Sequence, residues 1–314
     1  MPSLGELSKM LQDATSTLSE VERALAADPT SESLRLMVRS MRTSQQELEA
    51  TFLSEVDSLG IDVCSYRFFS PISEQLNIGS LGRALDSFQT LISNVFAAVR
   101  TRAPRGSSNL SADAIAESSL QFGYTFAGSV GFVLTVPNER RLFGDSALDE
   151  AINTVFDMAK AETPSDVAAF AERLGSPSVR ALYRWARTHS LSGIGADLEW
   201  RRQDNIRGAL FMQLPDLDHL TSTIEATSDA TTLEVPLSGM LVGLQQERRT
   251  FDMAFEDGSH IHGTIGDELM SSISLDNPLA IPARYFVRLT KTTRTRYSMD
   301  EDEESWVLDG IERT

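Results

Sequence analysis

Residues 3–60 read SLGELSKMLQDATSTLSEVERALAADPTSESLRLMVRSMRTSQQELEATFLSEVDSLG. Within them Leu4, Leu7, Leu11, Ala14, Leu18, Val21 and Leu25 recur at spacings that alternate between three and four residues. After Asp28-Pro29 the same spacing restarts with Leu34, Val38, Met41, Gln45, Leu48, Phe52, Glu55 and Leu59. Each run places a narrow apolar seam along a helix, the pattern of helix-on-helix packing rather than of a broad core-facing stripe. Two helices of about 24 to 28 residues would each span roughly 36 to 42 Å. Pro29 cannot continue the first, and Thr30 or Ser31 can cap the second. The short break predicts an antiparallel, coiled-coil-like hairpin over residues 1–59. Gln45 and Glu55 put polar groups into the seam, a device that sets register or partner number.

A two-helix hairpin buries one shared seam and needs something else to cover its remaining apolar surface. Its own body could do so, or a second molecule. The sequence expectation taken here is the second, with Leu11, Leu18, Leu25, Leu48 and Phe52 as the partner-binding residues.

Downstream the pattern changes. Residues 62–69 read as a strand. Residues 80–100 read as an amphipathic helix with Leu81, Leu85, Phe88, Ile92, Val95 and Val99 on one face. Residues 119–126 and 130–136 read as strands about an Ala127-Gly128-Ser129 turn. Three helices then start at clear signals: Ser146, Thr163-Pro164, and Ser176-Pro177 with Gly175 as a stop. Residues 196–202 and 208–213 read as a strand pair, and 215–228 as a helix. The mixture predicts an α+β body over residues 60–232.

From residue 233 to 314 the order is strand, strand, strand, short helix, strand, strand. Asp257-Gly258 supplies a hairpin turn. That order predicts a small five-stranded β-barrel, OB-like or SH3-like. The acidic run Asp300 to Glu304 falls between its last two strands and reads as a solvated tip.

Composition narrows the function. The 314 residues are 41% hydrophobic and 23% charged, ordinary for a folded soluble chain with ample core material. The formal charge of −17 opposes nucleic acid and anionic membranes at long range. No run approaches the roughly 20 apolar residues of a membrane span. The first twelve residues lack the basic and apolar regions of a secretory signal. The single cysteine, Cys64, excludes an intramolecular disulfide and a thiolate zinc cage, and fits a cytoplasmic location. It reads as a buried strand residue. Arginine outnumbers lysine heavily, with lysines only at 9, 160 and 291; with abundant alanine this points to a GC-rich bacterial source.

Chemistry-bearing motifs are sparse. Gly79-Ser80-Leu81-Gly82 and Gly193-Ile194-Gly195 complete neither a dinucleotide fingerprint nor a Walker loop. His260 and His262 share a strand face but need a third metal ligand, with Asp257 the nearest acid. No G-x-S-x-G occurs, and four histidines give no triad spacing. No catalytic, cofactor or metal residue is assigned, and an enzyme is not expected. Arg180, Arg184 and Arg187 share a helix face and read as a solvated surface.

The expectation is therefore a non-catalytic bacterial adaptor or assembly protein that binds a protein partner or itself as a homo-oligomer. The alternative is a single-stranded nucleic-acid-binding accessory subunit of a defence or mobile-element complex. It would use Arg288, Arg294 and Arg296, which share one parity in the fourth barrel strand. Fifteen acidic residues against eight basic ones in residues 234–314 disfavour it.

Overall fold

The computed structural model describes residues 2–70, 76–126, 130–138, 145–202, 205–272 and 279–313. The expected turn at Ala127-Gly128-Ser129 lies outside them. The fold is mixed α+β, and the chain divides into two compact units, Met1–Thr227 and Ser228–Thr314. The helical pair is part of the first unit rather than a unit of its own, and the division falls at 227/228 rather than at 232/233.

The pair consists of α1 (Leu4–Ala27) and α2 (Glu32–Ser58). Ser3 opens α1 with a full capping box to Glu6, and the Ser31 hydroxyl accepts the Leu34 amide at the start of α2. Gln45 Nε2 donates to Thr15 Oγ1 at 2.9 Å, and Arg42 pairs with Glu22 at 2.7 Å. The predicted polar seam residue thus sets register inside the pair, and the two contacts fix its antiparallel sense.

A five-stranded sheet follows, in the order β2-β3-β1-β4-β5. Its strands are β1 (Ile61–Phe69), β2 (Gln121–Phe126), β3 (Val130–Pro137), β4 (Gly195–Arg202) and β5 (Asn205–Met212), and every pairing is antiparallel. Six helices accompany it: α3 (Ile78–Thr101), α4 (Ala112–Ser118), α5 (Ala147–Met158), α6 (Pro164–Leu174), α7 (Ser176–Ser192) and α8 (Leu214–Glu225).

Strand alternation assigns the faces. Asp62, Cys64, Tyr66 and Phe68 are fully buried on the helix side, where Tyr66 meets Phe88 of α3 and His189 of α7. Val63, Ser65, Arg67 and Phe69 point the other way. Over that second face the basal ends of α1 and α2 close a core in which Leu7, Leu11, Phe52 and Val56 pack on Val63, Tyr124 and Val133. The half of the pair nearest the α1–α2 turn contributes nothing to this core.

The second unit contains β6 (Ser228–Gln245), β7 (Thr250–Ala254), β8 (His260–Ile265), α9 (Asp267–Ser272), β9 (Ala283–Arg296) and β10 (Glu303–Arg313). The strands pair as a closed barrel, β10-β8-β7-β6-β9, with β8 and β10 parallel and the other pairs antiparallel. Its core holds Leu241, Phe251, Met253, Ile265, Tyr285, Val287, Leu289 and Leu308. Strand β6 begins at Ser228, five residues before the expected boundary at 233, in a stretch, Ser228–Glu234, that is exposed on both faces and shows no period.

Candidate docking site

The second face of the first sheet is only partly covered. The pair overlies β2, β3 and β1 at one end, while β4 and β5 present a lane of open surface. Gly195 shapes this lane. A side chain there would collide with the Phe69 ring, because a Cβ would lie 2.3 Å from it. With glycine at that point, Phe69 lies flat across β4 and stacks on Phe211 of β5, at 5.1 Å between centroids and 6° between planes. Phe126 lies over Gly131 in the same way. Phe211 is 54% exposed and Ile206 56%. Both stand on β5, an edge strand to which no further strand is paired among the described residues.

Ion pairs line the rest of the lane. Arg67 pairs with Asp197 across β1 and β4, and Arg201 with Glu199 along β4. The wall is α2, where Gln46, Glu49, Ala50, Leu53 and Asp57 border a groove of about 720 Å³ that reaches Arg201. A second hollow of about 280 Å³ shares Glu49 and Arg201 with it and runs over Ser65, Arg67 and Phe126. The Tyr124 hydroxyl donates to Glu49 at 3.3 Å; burial, then the Glu49 charge, push its pKa up. The lane is thus an apolar patch rimmed by charge beside an edge strand of the sheet.

The predicted partner-binding residues have a different place. Leu11 is 0% exposed, Leu18 4% and Phe52 1%, so the chain itself fills the seam at these positions. They offer nothing to a second molecule, which corrects the sequence expectation. Leu25 and Leu48 are half-buried, and Leu48 packs against the basal core. The seam spacing is equally satisfied by a partner and by the chain's own sheet, and sequence spacing does not choose between them. Phe69 and Phe211 were missed because they sit 142 positions apart in sequence, and only the register joins them. The glycines facing phenylalanines were the available signal.

In the barrel, Arg288, Arg294 and Arg296 share the outer face of β9, as their parity predicts. Acids attend that strand: Arg296 with Glu303 at 3.4 Å, Lys291 with Glu304 at 2.6 Å, and Arg284 with Glu256 at 2.7 Å. Arg288 stands in a hollow that also holds Glu268, Asp309 and Glu312.

The remaining candidates make local contacts. Asn77 caps α3 and accepts the Gly79 and Ser80 amides, and Gly193 is the left-handed stop of α7. His262 Nδ1 meets Asp252 at 2.7 Å, and Asp257 accepts the Ser259 amide and hydroxyl. No group of three or more metal ligands occurs among the described residues. Burial, with the Glu199 charge second, pushes the Cys64 thiol up. The buried carboxylates Asp62 and Asp149 are both held by Arg202 and Asn138, and Trp200 Nε1 donates to Asp62 at 3.1 Å. Locked in this way, they clamp β1, β4 and α5 together. On α7, Arg187 pairs with Glu225 at 3.1 Å. No helix of the described residues is long and apolar enough to cross a membrane. No family model, no curated protein and no solved structure matches the chain.

Proposed function

We propose that the protein is a non-catalytic, cytoplasmic interaction module, an adaptor or assembly protein, whose docking site is the open lane between α2 and the β5 edge. One observation carries this reading: Phe69 and Phe211 form a stacked pair on the open part of the sheet face, with Phe211 on the edge strand β5. A buried aromatic pair of this kind contributes roughly 0.5 to 1.5 kcal/mol beyond its area. Half-exposed, it gains further stabilisation only when something covers it. The ion pairs around it form the polar rim of such a site.

The barrel is read as OB-like. The antiparallel run β6-β7-β8, the helix between its third and fourth strands, and the parallel closure of β8 on β10 support this. In that fold the ligand face comprises the second and third strands and the loops beside them. Here that face presents Asp252, His260 and His262, with the acidic segment after Tyr297. A protein-docking role suits such a face better than a nucleic-acid one. The nucleic-acid alternative rests on Arg288 and Arg294 and on strand order. Binding that weakens with salt and is lost on their substitution would favour it.

The test is affinity purification from the native host, with wild-type chain and the Phe211→Glu variant as baits. The reading expects a protein, or further copies of the chain, retained by the first and lost from the second. Equal retention by both would place the site elsewhere.

A further inference from the structure

The outward face of α2 has its own pattern. Arg35, Arg39, Arg42, Gln46, Glu49, Leu53 and Asp57 follow one another at spacings of four, three, four, three, four and four. Helical periodicity puts them in a single row. The row is not the seam: its first five members are exposed and the last two half-buried. The members from Gln46 onward form the wall of the groove described above. The three arginines continue the row past the basal core, toward the α1–α2 turn.

Charge divides along this helix. From Glu32 to Gln45 it carries Glu32, Arg35, Arg39 and Arg42, a net of +2. From Gln46 to Ser58 it carries Glu47, Glu49, Glu55 and Asp57, a net of −4. A helix basic in one half and acidic in the other complements itself when two copies lie antiparallel. The sheet beside the acidic half adds Asp197 and Glu199, each paired to an arginine.

We infer that the occupant of the lane is a second copy of this chain, its α2 antiparallel to the first about a twofold axis near Gln46. This rests on the docking site proposed above and names its partner. The arginine half of each α2 lies in the other's lane. Arg35 and Arg39 come beside Asp57 and Leu53 of the other copy, and Arg42 comes beside Glu49. The twofold makes both contacts identical, as an isologous interface requires. The basic half carries no member of the basal core, so it is the part able to reach over another molecule's sheet.

The test is the mass of the full chain by sedimentation velocity, at low and high salt. The wild type is expected to be a dimer that dissociates as salt rises. Two variants reverse one half each: Arg35→Glu with Arg39→Glu, and Glu49→Lys with Asp57→Lys. Each alone is expected to weaken dimerisation by at least about tenfold, because like charges then face each other. Mixed together, they are expected to form a heterodimer, since both contacts again oppose unlike charges. The first variant changes only exposed side chains, so its result stands even where the second fails to fold. A wild type monomeric at the highest soluble concentration overturns the inference, as does a dimer indifferent to Arg35→Glu with Arg39→Glu. If that monomer still retains a host protein through Phe211, the docking site stands and only the second copy is excluded.

Discussion

At the scale of single residues, burial decides what the polar groups do. Tyr66, Trp185 and His189 form a closed chain of donors: Trp185 Nε1 donates to the Tyr66 hydroxyl at 2.8 Å, and that hydroxyl approaches His189 Nε2 at 2.6 Å. His189 Nδ1 lies 3.0 Å from the Ile194 carbonyl, which can only accept, so Nδ1 carries the proton and Nε2 accepts from Tyr66. The fold thus needs a neutral imidazole. Burial first, opposed by the Ile194 contact, lowers the His189 pKa from 6.5 to about 4. The unfolded chain binds this proton below pH 6.5 and the folded one does not. The contribution is complete above pH 6.5 and declines as pH falls toward 4, by roughly 3 kcal/mol in all. Urea unfolding across that window should show the decline, and His189→Gln should flatten it; an unchanged slope in the variant would assign it to other groups. Asp62 is likewise buried and held by its partners. Asp62→Ala leaves Arg202 without its main partner and should cost roughly 3 to 5 kcal/mol by the same measurement. None of these partnerships was visible in the sequence, because Asp62 meets Arg202 across 140 positions and only strand register brings them together.

At the scale of elements, the capped helices and the β4–β5 strand pair, expected at 196–202 and 208–213, were legible, and which face of the sheet stays uncovered was not. Ser31, Ser146 and Thr163 all cap where their patterns say, since a cap depends on the residues just after it. The third expected cap differs. Gly175 rather than Ser176 is the N-cap of α7, because its positive φ serves both the end of α6 and the start of α7 against the Arg105 backbone. Helix α4 is too short, at seven residues, to show a period. The basal end of the helical pair is core, so Leu11→Ala should cost about 2 to 5 kcal/mol and Phe52→Ala about 3 to 5. Leu25→Asp, near the α1–α2 turn, should cost far less. Thermal or chemical denaturation of the three variants measures the difference, and equal costs would show the pair to be held as strongly at its turn as at its base.

At the scale of the molecule, the N-terminal periodicity was read correctly as two packed helices and incorrectly as a free seam. The distinction lay in the sheet, whose second face accepts one end of the pair and leaves β4 and β5 bare. What a partner would touch is then the outer row of α2 and the aromatic pair beside it. Amide hydrogen exchange on the full chain, free and in whichever complex it forms, tests this most directly. The account predicts slower exchange across residues 205–212 of β5 and along residues 35–57 of α2 in the complex. Protection confined to the barrel, with β5 unchanged, would contradict it.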